Sequence, residues 1–141
     1  MTRSHEQATA ATREAPPAVR VAYRVVLALF LLMGVTQIFL AGLGAFSFGS
    51  GPGFEPHRLL GYAMSAVALL IVVLALAVRA GGRAIGLAVL LFVLAAGGQS
   101  LWAALASDSP FFGGVHALEG LALLGLAGYL QGAAGRSGAR P

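Results

Sequence analysis

Four long apolar runs, at 25–46, 59–78, 85–105 and 115–130, divide this chain, and no other feature limits its fold as strongly. A helix rises 1.5 Å per residue, so about 20 residues cross a hydrocarbon layer of ~30 Å, and most of the runs are close to that length. The fourth is shorter, and residues 111–115 can extend it. Peptide groups in hydrocarbon have no water to bond, so each run must satisfy its own backbone as a helix. Buried helices of a soluble bundle are the alternative. Four runs this long, with almost no polar residue inside them, argue against it. Only 10% of the residues are charged, against about 25% in a soluble domain.

The breaks between the runs carry turn chemistry. Residues 49–56 (GSGPGFEP) and 107–114 (SDSPFFGG) are Gly/Pro/Ser-rich, and 79–83 (RAGGR) is short and charged. Pro56 and Pro110 stand where a helix tolerates proline, in its first turn. Residues 1–20 are polar, carry Pro16-Pro17 and lack the apolar centre of a signal peptide, so they read as a disordered tail. Residues 133–141 read as a second tail. The expected fold is all-α: a four-helix transmembrane bundle over 21–132.

Arginine placement predicts the orientation. Arg3, Arg13, Arg20 and Arg24 precede the first run, Arg79 and Arg83 separate the second from the third, and Arg136 and Arg140 follow the fourth. Only Arg58 falls on the other side. Such a bias in short loops and tails keeps them in the cytoplasm, which predicts a multi-pass protein of the cell membrane with both termini inside. The net charge of +4 is therefore a topology signal. It lacks the clustered basic face of a nucleic-acid binder. The chain has no cysteine, which excludes disulfides, thiolate metal sites, iron–sulfur clusters and covalent c-type haem attachment.

The runs form two copies of one hairpin, about 21–80 and 83–132. The first reads QIFLAGL from Gln37 and HRLLG from His57; the second reads QSLWAAL from Gln99 and HALEG from His116. Leu, Ala and Gly match easily in this composition. The chain has only four glutamines and three histidines, however, and two of each fall in the pattern. Each copy has two spans, so the copies share a topology and are related by an axis along the membrane normal.

The repeat predicts a site. His57 and His116 open the second and fourth helices at the outer face, and those helices can oppose each other diagonally. Gln37 and Gln99 lie deeper, and all four side chains should point inward, because polar groups in hydrocarbon need partners. Gly61 and Gly120 lie one turn below the histidines and let a flat group or another helix approach. Two imidazoles across a bundle suit the axial positions of one haem b, with His57 and His116 as iron ligands. Only neutral imidazole ligates, and its other nitrogen needs a partner. The plainer alternative is a pair of interfacial histidines bonded to water or loop carbonyls. Zinc or copper would need further ligands, from Glu119, Glu55 or Asp108. Glu119 lies one turn below His116, where a carboxylate is costly unless paired or wet: a pair with Arg58 or a water-filled crevice is the structural reading, and a proton-accepting or cation-binding carboxylate the functional one. Trp102 and Tyr62 read as interfacial anchors, and Gly125, Gly128 and Gly132 as marks of close helix packing.

These motifs resemble one four-helix half of the haem A synthase family, over roughly 25–130. The matching stretches are Gln37-Ile-Phe-Leu-Ala-Gly, His57-Arg58-Leu-Leu-Gly61, Gln99, and His116-Ala-Leu. The resemblance implies that His57 and His116 are axial haem ligands. It departs where the family has a glutamate three residues before the His-Arg pair, since Phe54 stands there, and the second four-helix half and the loop cysteine pair are absent. One histidine pair leaves room for one haem and none for a porphyrin substrate, so the resemblance implies the scaffold without haem A synthesis. The chain also resembles a group of small, uncharacterised bacterial four-span proteins with the same Q…H…Q…H pattern, a resemblance that supplies no function.

The expected function is binding of one b-type haem for electron transfer or haem handling. The alternative is a non-enzymatic scaffold or accessory subunit whose polar cluster is structural. No catalytic triad, phosphate loop or paired-carboxylate site is present, which leans against an enzyme. A channel or transporter ranks third, since four spans are few and none reads as interrupted. The expected partners are the lipid bilayer and either a second copy or another membrane protein.

Overall fold

The computed structural model describes residues 15–47 and 53–137. It contains four long helices: α1 (Pro17–Ala45), α2 (Glu55–Ala77), α3 (Gly82–Leu105) and α4 (Pro110–Ser137). All four are long and apolar enough to cross a membrane. The helices outrun the apolar runs at both ends of the chain. Pro17–Arg20, read as tail, already belong to α1 because proline presets φ at a first helical position. At the other end α4 continues to Ser137. Arg3, Arg13, Arg140 and most of the loop between α1 and α2 lie outside the described residues.

Each helix packs on two neighbours: α1 on α2 and α4, and α3 on the same two. Among the described residues no backbone contact joins α1 to α3 or α2 to α4, so these pairs are the diagonals of a square bundle. The turn between α2 and α3 is held by a Schellman pattern. Ala80 N–H reaches the Ala75 carbonyl and Arg79 N–H the Leu76 carbonyl, each at 3.0 Å, with Arg79 left-handed at φ 53°.

Buried positions recur every three or four residues on each helix. They are Tyr23, Leu27, Phe30 and Gly34 on α1, and Met64, Ala68, Ile71 and Ala75 on α2. On α3 they are Ala88, Leu91 and Ala95, and on α4 Leu123, Ala127 and Leu130. Large and small side chains alternate, which matters in lipid. Tails are as apolar as leucine, so close packing has to hold the helices together. The other faces are equally apolar, with Leu32, Phe39, Val73 and Leu118 exposed, as membrane helices require. Gly34 and Gly44 mark the tight approaches: a Cβ at the first would strike Leu124, and at the second the Phe54 ring. Gly125, Gly128 and Gly132, read as marks of close packing within the bundle or to another protomer, face outward, which leaves only the second of these.

Packing is uneven along the bundle. Most of the buried residues lie in the half nearer the arginine-rich end. In the opposite half, Gln99–Leu105 of α3 buries nothing. At this boundary α3 carries a π turn, Leu94–Gly98, where the Gln99 N–H returns to the Leu94 carbonyl, five residues back. The sequence reads this span as uninterrupted. The Ser65 hydroxyl on α2 lies 3.1 Å from the Ala95 carbonyl within the turn and 3.2 Å from its own Gly61 carbonyl.

The dense half should respond to cavities and the lipid face should not. Ile71→Ala is expected to lower stability by roughly 1–3 kcal/mol, mainly the cavity part of a core truncation. Val73→Ala, two residues away and exposed, should change it by less than about 0.5 kcal/mol. Thermal unfolding in detergent followed by circular dichroism compares the two.

Candidate functional site

His57 and His116 come together in the loosely packed half. They stand on the diagonal helices α2 and α4, yet their ring centroids are 6.0 Å apart with planes inclined at 59°. Both side chains are half-buried.

The glutamines hold them in a way the sequence does not suggest. His57 Nδ1 lies 3.1 Å from the backbone carbonyl of Gln37, and His116 Nδ1 lies 3.1 Å from the backbone carbonyl of Gln99. The two copies of the hairpin thus repeat one cross-helix bond at one distance. A carbonyl oxygen can only accept, so each Nδ1 carries the proton and donates. In the neutral ring the lone pair is then on Nε2. A ligating histidine needs this arrangement, with one nitrogen anchored to an acceptor and the other free for a metal. Two imidazoles on opposite sides of one metal, at bonds of about 2 Å, place their centroids roughly 6 Å apart, close to the spacing here.

The glutamine side chains behave differently from one another. Gln99 Nε2 lies 3.0 Å from the His116 carbonyl and 2.9 Å from Glu119 Oε2, so one amide group serves two acceptors. The Glu119 carboxylate lies against Gly98, where any Cβ would collide with it. Gln37 Oε1 is buried without a hydrogen-bond partner among the described residues. Its Nε2 lies over Gly61, where a Cβ would stand 3.1 Å away, while the space beside Gly120 is open. The repeat therefore breaks at Glu119, whose counterpart in the first copy is Leu60.

The expected Arg58–Glu119 pair is replaced by two others. Arg58 pairs with Glu55, one turn earlier on its own helix, and both are well exposed. An exposed pair at this spacing contributes little to stability. Arg58 reaches toward water, whereas Glu119 lies a turn deeper and takes an uncharged donor. Among the described residues no three His, Cys, Asp or Glu side chains converge as a metal-binding group.

The rim is aromatic. Phe54 meets His57 edge-on at 6.3 Å, and its counterpart beside His116 is Gly113, so the two sides are shielded unequally. Trp102, read as an interfacial anchor, stacks on Phe112 with centroids 6.1 Å apart and planes within 10°. Tyr62 is exposed. Sequence reasoning missed Phe54, Ser65, Gly98 and the π turn. The one available signal was the Gly97-Gly98 doublet before Gln99, since paired glycines weaken an α-helix.

Residues 37–105 match DUF6220, a family of unknown function. The matched stretch begins at Gln37 and ends with the second QSLWAAL segment, so it holds His57 and both glutamines and stops short of His116. No curated protein and no solved structure matches the chain. The resemblance to haem A synthase accordingly rests on the motifs alone.

The two glutamines should differ under mutation. Gln99→Leu removes the donor shared by Glu119 and the His116 carbonyl, and is expected to cost about 1–3 kcal/mol. Gln37→Leu removes a side chain whose oxygen has no partner and should shift stability by less than about 1 kcal/mol. Unfolding midpoints of the two variants in the same detergent check this order.

Proposed function

We propose that this integral membrane protein holds one b-type haem between His57 and His116, for electron transfer or haem handling. The observation that carries the reading is the repeated Nδ1–carbonyl bond, which leaves an Nε2 lone pair on each of two half-buried rings 6.0 Å apart. A porphyrin supplies four nitrogen donors, so two protein ligands complete its iron and no third is needed. The loosely packed half of the bundle, with nothing buried in Gln99–Leu105 and open space beside Gly120, supports insertion of a ring. When bound, haem supplies one-electron redox chemistry. The chain's own residues orient the two imidazoles, fix their tautomers and shield one of them behind Phe54. The motif resemblance to haem A synthase supports the cofactor and not that enzyme's reaction.

Reduced-minus-oxidised spectra of protein purified from haem-replete cells test the proposal. The expected result is a b-type spectrum that His57→Ala and His116→Ala each remove or alter. A flat baseline that persists after reconstitution with hemin overturns it. A purely structural cluster predicts instead that both variants lower thermal stability and that no chromophore is present at any stage.

The arginines favour a cytoplasmic location for both termini. The absence of native cysteine makes this directly testable, because a single introduced thiol reports alone. In intact cells, Ser107→Cys in the second outer turn should react with a membrane-impermeant maleimide, and Gly135→Cys near the end of α4 should react only after lysis. The reverse pattern inverts the topology.

A further inference from the structure

His57 and His116 are anchored alike and packed differently. Each ring donates from Nδ1 to a glutamine main-chain carbonyl at 3.1 Å, so the anchors cancel when the two are compared. On an α-helix the residues three before and four after a histidine share its face and bracket its ring. For His57 both brackets are filled. Phe54 meets the ring edge-on at 6.3 Å, and Gly61 is covered by the Gln37 amide, whose Nε2 lies 3.1 Å from where a Cβ would stand. For His116 both positions are glycine. Among the described residues a Cβ at Gly113 would find Ala106 Cβ at 3.8 Å, an ordinary contact, and one at Gly120 would find nothing within 4 Å. Gln99 does not close this side, because its amide bonds the His116 main-chain carbonyl and Glu119, and not the ring. Moving the His57 ring therefore displaces packed neighbours, whereas His116 has room on its own helix face to turn aside.

From this we infer that His116 is the exchangeable one of the two haem ligands, and that one small neutral molecule with a donor lone pair, of the size of carbon monoxide, binds in its place. The inference rests on the haem reading above. In the exchange the coordinate bond from His116 Nε2 to the iron breaks and one from the incoming lone pair forms. The neutral ring keeps its own lone pair, and no electron or proton moves. His57, held between Phe54 and the Gln37 amide, stays as the fixed ligand.

The full chain reconstituted with hemin in mild detergent, reduced with dithionite and titrated with carbon monoxide, tests it. The absorption spectrum should shift as the gas is added. Gly113→Phe gives His116 the aromatic bracket of His57 and should weaken binding of the gas about fivefold, the factor of one edge-on aromatic contact. In the protein without haem, diethyl pyrocarbonate should label His116 ahead of His57, read by peptide mass spectrometry. A b-type spectrum that carbon monoxide leaves unmoved overturns this inference alone, while failure to take up hemin overturns the haem reading and this inference with it. Labelling of His57 as fast as His116 in the unaltered protein overturns it without reference to any variant, as does an unchanged affinity for the gas in Gly113→Phe.

Discussion

Hydrocarbon has nothing to bond a peptide group, and every level of this structure follows from that deficiency. It makes the apolar runs helical, and it makes any polar side chain on them seek a partner from another helix. The histidine rings answer this need with backbone oxygen. A helical carbonyl has two lone pairs and uses one in the helix, so the second remains available across the interface. Gln37 and Gln99 present such carbonyls to His57 and His116 at the same distance, 3.1 Å. The helix register that places these residues therefore also fixes the tautomer of each ring.

Much of the architecture was legible in the sequence because it depends on counting. Run length gave the four spans, and the Q…H repeat brought two rings together near one end of the bundle. The contacts between them were less legible. Matching glutamines suggested side-chain partners, yet the histidines use glutamine main chain, which any residue can provide. The side chains then diverge, because Glu119 faces Gln99 and has only Leu60 as its counterpart. Arg58 was assigned to Glu119 by charge, while exposure and the short path to Glu55 decided the pairing. Helix ends were missed for a related reason: hydropathy marks the edge of the bilayer, not the end of hydrogen bonding, and α1 starts at Pro17, ahead of its apolar run.

The two halves of the bundle serve different physical ends. One is closely packed with alternating Ala, Leu, Ile and Phe, giving a rigid base. The other is open and polar, with an aromatic on one flank and glycine on the other. Under the proposed haem reading, that division would let the base keep the helix spacing while the open half received the ring.

The π turn bears on how the pseudo-symmetry is kept. In the first copy the equivalent stretch of α1 is ordinary α-helix, and the Thr36 hydroxyl bonds the Leu32 carbonyl four residues back at 3.0 Å. In the second copy Leu94–Gly98 winds one residue wider. Each residue of an α-helix advances about 100° around the axis, so without that wider winding Gln99 would stand nearly a third of a turn away from its present azimuth. The two copies reach the same carbonyl-to-imidazole geometry by different windings, with the wide turn acting as a phase correction. Their symmetry is thus a matter of angular bookkeeping as much as residue identity. A one-residue deletion within that turn would therefore let ordinary α-winding carry the Gln99 carbonyl to the same azimuth facing His116, with every motif residue in place.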